Sequence, residues 1–422
     1  MSRAVVVTGV GMCTPLGIDR ESSWAGFLAG RSGIGPIRAY DASGDAVRIA
    51  GEIPGDLDEV FGARVKLPFP DRYARFTKLA LLAGGEALEH AGLEVEAADP
   101  ARAVDPTRVG VCLGVGGGPL HFMTDFDRAI RAGGDGLMDI IDHNFVLKYM
   151  GNAAAAQFGI WKKLEGPTMG INAACAAGAQ AIEVGLDLLR SGRCDVVVAG
   201  GTDATVTRQV IHAYHRNRAL TTSNERGAAA SRPFDKQRDG FVMAEGAGVL
   251  VLETEEHAAR RGAPTLARLA GSASTGEAYN IVAPRKDGSG MLRTMQAALT
   301  DADLGAEALG WVCAHGTSTP LNDPIESRAI RELLGARADE VGVSSLKSMM
   351  GHAIGATCAI EAAACVLALR DQAIPPTLHL DEPDEGCDLD YVTGAARRGP
   401  LEAVASNAFG FGGHDNTLIF TR

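Results

Sequence analysis

Apolar runs rich in β-branched residues recur at residues 4–8, 109–113, 196–199, 248–252 and 311–314. Polar residues do not interrupt them at every second position, so they predict strands covered on both faces, the habit of sheets buried between helices. Alanine-rich stretches with helical spacing of apolar residues alternate with these runs, and turn residues separate the two. The pattern is that of an α/β chain built in layers.

Two of the helical stretches look like copies of one unit. Sliding the chain by 180 residues lays Asp187-Leu-Leu-Arg190 on Leu367-Ala-Leu-Arg370, and Ile182, Leu186 and Leu189 then coincide with Ala362, Val366 and Leu369. The shared i, i+4, i+7 face is that of an amphipathic helix, and the same offset sets Cys175 opposite Gly355. A duplication is predicted, divided near residue 256, where the charged Glu255-Glu-His-Ala-Ala-Arg-Arg-Gly262 joins residues 1–256 to residues 257–422. The total of 422 residues suits two to three domains at ~150 residues each. No long linker or low-complexity tract intervenes, so the halves are expected to pack as one body.

Composition narrows the function. With 22% charged and 46% hydrophobic residues, the chain is globular rather than disordered, fibrous or coiled-coil. A formal charge of −12 repels nucleic acid and anionic lipid, so an acidic partner must dock on a local basic patch. No apolar run approaches the ~18 residues of a membrane span, and the segment after Met1-Ser2-Arg3 is too short for a signal-peptide core. A cytoplasmic location is expected. The eight cysteines (Cys13, Cys112, Cys175, Cys194, Cys313, Cys358, Cys365 and Cys387) are scattered, with neither CxxC nor zinc-ligand spacing, and no metal site is expected. The 53 glycines collect in motifs such as Gly9-Val-Gly11, Gly114-Val-Gly-Gly-Gly118, Gly200-Gly201 and Gly410-Phe-Gly-Gly413, where backbone crowds a neighbour.

One cysteine stands apart. Cys175, in Gly170-Ile-Asn-Ala-Ala-Cys-Ala-Ala-Gly178, falls between a short extended segment and the periodic helix that runs to Arg190. The free N–H groups at a helix start favour a thiolate by ~0.3–1 kcal/mol, at most ~2, and one pKa unit is about 1.4 kcal/mol. That alone predicts a thiol shifted from about 8.5 towards about 7, reactive without a dedicated base. A cysteine here is equally readable as a buried structural residue, the reading that suits the other seven.

Three further segments weigh on that choice: Ala314-His-Gly-Thr-Ser-Thr-Pro320, Lys347-Ser-Met-Met-Gly-His352 continuing to Gly355 and Glu361, and Asn407-Ala-Phe-Gly-Phe-Gly-Gly413. With Val5-Val-Val-Thr-Gly-Val-Gly11 at one end and Thr417-Leu-Ile-Phe420 at the other, the chain resembles the β-ketoacyl-acyl-carrier-protein synthases. The likeness is to the elongating, Cys-His-His condensing enzymes of fatty-acid and type II polyketide or polyene synthesis. Several spaced motifs in order are specific where any one is weak.

The resemblance implies a thiolase-like fold of two homologous βαβαβαββ halves in five αβαβα layers, paired as a dimer along an edge strand. It implies a decarboxylative Claisen condensation of an acyl chain, carried on cysteine, with malonyl-acyl-carrier protein. By that likeness Cys175 is the nucleophile, His315 and His352 face it, Lys347 stands near the second histidine and Glu361 is the carboxylate on the following helix. Thr317 and Thr319 hold the carrier's pantetheine arm. Phe411 gates the pocket and offers a backbone N–H within the loop of Phe409, Gly410 and Gly412. No cofactor is implied beyond the phosphopantetheine of acyl-carrier protein. The partner chain is a second copy or a Cys-less homologue.

Each residue type suits the chemistry. Acyl transfer to sulfur passes through an oxyanion that the N–H groups of Cys175 and Phe411 can stabilise, and losing one such donor typically costs ~2.7–4 kcal/mol. Decarboxylation leaves an enolate whose oxygen needs donors, which two neutral imidazole N–H groups supply. Lys347 is a fixed cation balanced by Glu361.

Departures from the family pattern fall away from these residues. Glu277-Ala-Tyr-Asn280, followed by Ala283-Pro284, replaces the usual Asp-Ala-Tyr-His, so the loop that moves with the gate is expected to behave differently. Residues 137–150 lack the proline-rich pattern that lines the acyl pocket, and Asp139, Asp142, His143, Asn144 and Lys148 make that wall polar, which favours a polar or unsaturated chain. Arg72, Arg75 and Lys78 are candidates for receiving an acidic carrier. The remaining histidines, His90, His121, His143, His212, His215, His257, His379 and His414, are given no catalytic role. A non-elongating chain-length subunit is disfavoured by Cys175. A dinucleotide enzyme is disfavoured by Thr14-Pro15 after Gly9-Val-Gly11, a serine hydrolase by the lack of GxSxG, and a degradative thiolase by the His352 motif.

Overall fold

The five apolar runs fall in five of ten strands hydrogen-bonded in one sheet, within which a single strand order occurs twice. The computed structural model describes residues 3–94, 104–118, 130–131 and 145–422. In the first half β1 (Val5–Cys13), β2 (Val109–Gly114), β3 (Thr168–Ile171), β4 (Val196–Ala204) and β5 (Glu245–Thr254) lie in the order β3-β2-β4-β5-β1. In the second, β6 (Ala267–Gly276), β7 (Leu309–Cys313), β8 (Gly342–Ser344), β9 (Ala403–Gly410) and β10 (His414–Thr421) lie in the order β8-β7-β9-β10-β6. The pairing sense also repeats. β3, β2 and β4 are parallel and β5 is antiparallel to both its neighbours, as are β8, β7, β9 and then β10. The halves join through two opposed pairs, Val6 with Arg268 and Val7 with Ala267.

Three helices follow the strands of each half in the same places: α1 (Arg75–Ala91), α2 (Ala153–Lys162) and α3 (Ala177–Arg190), then α4 (Ser289–Asp301), α5 (Asn322–Leu334) and α6 (Thr357–Asp371). Both halves therefore read βαβαβαββ. Residue 256 lies in the short helix Glu255–Arg260 between β5 and β6.

Strand periodicity explains the layers, because successive side chains leave a strand on opposite faces. On β4, Val197 and Ala199 pack with α3 and α6, while Val196 and Val198 pack with α1 and α2. On β9, Val404 and Ala408 join α3 and α6, while Ala405 and Phe409 join α4 and α5. Two helices lie outside each half-sheet and α3 and α6 lie between them, giving the five layers. The one-sided apolar face expected for α6 is too narrow a description: Thr357 through Leu369 are all buried, since the helix is enclosed by both half-sheets and α3. Glu361 is the one charged side chain in that stretch.

β1 and β4 run beyond their apolar cores through glycine-containing segments. A Cβ at Gly9 or Gly11 would sit 2.1 Å from Ala87 O or 1.9 Å from Ala83 O, so this pair lets α1 lie close on β1. The duplication extends to fine detail at the central helices. A 3₁₀ turn, Ala174–Ala176, precedes α3 and another, Ile354–Ala356, precedes α6, and their first residues share a left-handed backbone, φ 47° at Ala174 and 48° at Ile354. Among the described residues, no helix is long and apolar enough to cross a membrane.

Candidate active site

Each strained turn delivers one partner of a buried pair. Cys175 occupies the turn that opens α3, and His352 lies just before the turn that opens α6. His352 Nε2 is 3.1 Å from Cys175 Sγ. His315 comes from the loop after β7 and completes a buried cluster in which sulfur and one nitrogen of each ring lie within 4.8 Å of one another. The two imidazole planes are nearly perpendicular, with centroids 5.5 Å apart.

The surroundings hold each group. The Glu326 carboxylate, one turn into α5, accepts the N–H of His315 (2.7 Å) and of Gly316 (2.8 Å) and so fixes the histidine loop. His352 Nδ1 lies 3.0 Å from Thr357 Oγ1, while its backbone N–H donates to Val242 O at 2.8 Å. Lys347 Nζ and Glu361 Oε1 form a fully buried ion pair at 2.7 Å, and Glu361 Oε2 has no hydrogen-bond partner among the described residues.

Burial decides the charge states. It holds both imidazoles well below the usual histidine range, helped by the Lys347 ammonium, so both are neutral at physiological pH. Burial also pushes the Cys175 thiol up to about 11, although Lys347 and the Phe411 N–H pull the other way. The expectation of a thiol near 7 set by the helix start alone is therefore corrected: removal from water outweighs a dipole contribution of at most ~2 kcal/mol. An acceptor for the thiol proton is needed, and His352 Nε2 is in reach. Burial likewise raises Glu361 to about 7 against the pull of Lys347.

A cavity of about 350 Å³ leads to this cluster and is lined by Cys175, His315, His352, Thr317, Thr319 and Phe411, among others. Phe409 and Gly410 also line it. The Thr317 and Thr319 hydroxyls are 2.9 Å apart. The Phe411 ring stacks on Tyr214 with centroids 6.2 Å apart. Gly412, in the left-handed region at φ 83°, donates its N–H to Ile281 O at 2.7 Å.

Three comparisons bear on this arrangement. Residues 2–258 match the family model of the β-ketoacyl synthase N-terminal domain, and residues 266–381 match that of its C-terminal domain. The chain belongs to the β-ketoacyl synthase family. It is 40% identical over 422 residues to 3-oxoacyl-[acyl-carrier-protein] synthase 2 of Synechocystis sp., spanning 100% of this chain and 98% of that one. Among solved structures it is similar to the ishigamide ketosynthase/chain length factor, with a TM-score of 0.90, 32% identity and coverage of 100% and 99%. It is also similar to a type II polyketide ketosynthase in complex with its acyl-carrier protein and bound to a hexaketide, with a TM-score of 0.87, 30% identity and the same coverage.

The departures of this synthase take shape in the structure. Asn280 Oδ1 accepts from Val282 N–H (2.9 Å) and Ala283 N–H (3.0 Å), folding the loop on itself. That loop is tied to the glycine loop twice, through Gly412 N–H to Ile281 O and Glu277 N–H to Gly413 O at 3.0 Å. Asp139, Asp142, His143 and Asn144 lie outside the described residues. Lys148 is described, and it lines a cavity together with Tyr40 and Arg75.

Of the three docking cations, two are engaged internally. Arg75 makes two 2.6 Å bonds to Glu245 and Lys78 a 2.7 Å bond to Asp58. Arg72 is exposed and lies 4.0 Å over the Phe69 ring. Other histidines have local partners: His90 Nδ1 accepts from Val10 N–H, and His257 pairs with Glu253. Sequence reasoning missed Glu326 and Asp323, whose i, i+3 spacing puts both on one face of α5, and Asp203, an acid in a wholly buried strand.

Proposed function

We propose that this synthase condenses an acyl chain held on Cys175 with malonyl-acyl-carrier protein, releasing CO₂ and β-ketoacyl-acyl-carrier protein. The observation that carries the reading is one thiol and two neutral imidazoles meeting at the end of a cavity walled by two threonine hydroxyls. In the first half-reaction the Cys175 sulfur attacks the thioester carbonyl. His352 Nε2 takes the thiol proton and returns it to the departing carrier sulfur. The N–H groups of Cys175 and Phe411 receive the oxyanion. In the second, malonyl thioester loses CO₂, and the electron pair passes into an enolate whose oxygen is met by N–H groups of His315 and His352. The enolate carbon attacks the acyl group, and Cys175 leaves as the thiolate.

The Thr357 hydroxyl can donate to Nδ1 of His352 or accept from it, so the ring can serve either step. Lys347 adds to burial in keeping both imidazoles neutral, and Glu361 compensates it. Thr317 and Thr319 bond the pantetheine arm, while Phe409 and the glycine loop at Gly410, Phe411 and Gly412 shape the gate. The reaction uses no cofactor beyond that arm.

The partner is acyl-carrier protein, with Arg72 in its docking patch, and the location is the cytoplasm. β3 lies at the outer edge of the sheet and exposes alternate residues, which supports pairing with a second chain, identical or Cys-less. Incubation with acyl-carrier substrate followed by mass spectrometry tests the reading. Acylation is expected on Cys175 and is lost in Cys175→Ala, which still decarboxylates malonyl carrier. Acylation of another cysteine refutes the assignment.

A further inference from the structure

Asp203 sits near the end of β4, fully buried, and its bonds go to backbone from both halves of the chain. Its Oδ2 accepts the N–H of Gly116 (2.9 Å) and of Gly355 (2.7 Å), and Oδ1 accepts that of Gly117 (3.0 Å). Gly116 and Gly117 belong to the loop after β2 in the first half. Gly355 belongs to the turn that follows His352 in the second.

These segments are pressed together. A Cβ on Gly116 would lie 2.3 Å from Ala174 O and 2.8 Å from Gly355 N, so the loop held by Asp203 abuts the turn that carries Cys175. A Cβ on Gly355 would lie 2.4 Å from Gly116 N and 2.8 Å from Asp203 Oδ2. Ala174 and Ile354, the residues just before Cys175 and Gly355, hold left-handed backbones, which persist only when surrounding structure over-determines them. A buried carboxylate, in turn, is tolerable only where donors surround it. The two needs meet at one side chain.

We propose that Asp203 is the positioning residue that fastens the Cys175 turn to the His352–Gly355 turn across the duplication, and so sets the approach of Cys175 Sγ to His352 Nε2. The proposal rests on the condensing reaction proposed above, and Asp203 touches neither substrate nor reacting atom.

Its charge supplies a readout that mere structural support does not move. The titratable groups facing Cys175 are Lys347, His352, His315, Tyr214, Cys358 and Asp203. Lys347 favours the thiolate and Asp203 opposes it. Asp203→Asn therefore has two consequences of opposite sign. An amide nitrogen turned towards N–H donors loosens the clamp, and loss of the negative charge eases ionisation of the thiol.

The full chain is assayed for condensation with acyl and malonyl carriers and for alkylation by iodoacetamide across pH. In Asp203→Asn, kcat is expected to fall on the order of 100-fold, the cost of a misplacement of about 1 Å, with KM for the acyl carrier unchanged. The alkylation profile is expected to move to lower pH. Asp203→Glu keeps the charge and with it the wild-type profile. A folded Asp203→Asn variant with wild-type kcat and profile overturns the proposal. Should that variant not fold, Gly355→Ala reports instead: its Cβ pushes against the same carboxylate, and wild-type kcat there overturns the proposal equally. Failure of wild-type Cys175 to acylate refutes the reaction, whereas the alkylation profiles test Asp203 independently.

Discussion

The resting state of Cys175 is the sharpest quantitative consequence of the fold. A thiol at about 11 stands some two to three units above a free cysteine at ~8.5, a bias against the thiolate of about 3 kcal/mol. At pH 7.5 the thiolate is then on the order of one part in 3,000, whereas a thiol at about 7 would be mostly ionised. Because the thiolate is the nucleophile, iodoacetamide alkylation is expected to rise about tenfold per pH unit between 7.5 and 9.5. Peptide mass spectrometry confirms the label's position among eight buried cysteines. Lys347→Met removes the cation that favours the thiolate and is expected to shift the profile to higher pH. The sign for stability follows. A thiol raised on folding leaves stability untouched below the free-cysteine value and erodes it as pH climbs from ~8.5 towards about 11. An alkylation rate that levels off by pH 8, or a Lys347→Met profile displaced to lower pH, refutes the reasoning.

Other outcomes follow from the same geometry. Lys347→Met strands Glu361 without its ion-pair partner; breaking such a pair costs ~3–5 kcal/mol while the acid stays ionised. Because Glu361 is already raised to about 7 and rises further without Lys347, the Tm deficit is expected to widen between pH 7 and 9; a deficit independent of pH contradicts this. Gly178→Ala sets a Cβ 2.7 Å from Gly355 O and 2.9 Å from Ala359 Cβ, forcing α3 away from α6; a loss of about 1–3 kcal/mol by denaturant titration with reduced kcat is expected, and wild-type values exclude the contact. With both imidazoles held well below 6.5, neither ring is expected to titrate by NMR between pH 8 and 6.5, and a His315 or His352 midpoint inside that window sinks the assignment of neutral donors. Arg72→Glu is expected to raise KM for carrier-bound substrate and blunt its salt dependence, and a KM unchanged across salt removes Arg72 from the docking patch.

How far the sequence alone reaches is clear from particular residues. Unbroken apolar runs predict buried strands because a strand covered on both faces has no position left for water. The 180-residue offset between Arg190 and Arg370 foretells the repeated strand order and the paired turns at Ala174 and Ile354, because a duplicated core keeps its packing. Cys175, His315, Lys347 and His352 are legible because the motifs around them are local.

Tertiary packing decided the rest. The thiol's ionisation could not be read from its place at a helix start, since desolvation depends on what both half-sheets lay over it. Nor could the engagement of Arg75 by Glu245, 170 residues away, or the enclosure of α6. Asp203 shows the limit most plainly. In sequence it is one acid after Gly200-Gly201-Thr202, and only folding brings it to the N–H groups of Gly116, Gly117 and Gly355. Hydrophobic periodicity is a property of neighbours along the chain, whereas burial of charge and the partners that compensate it belong to neighbours in space.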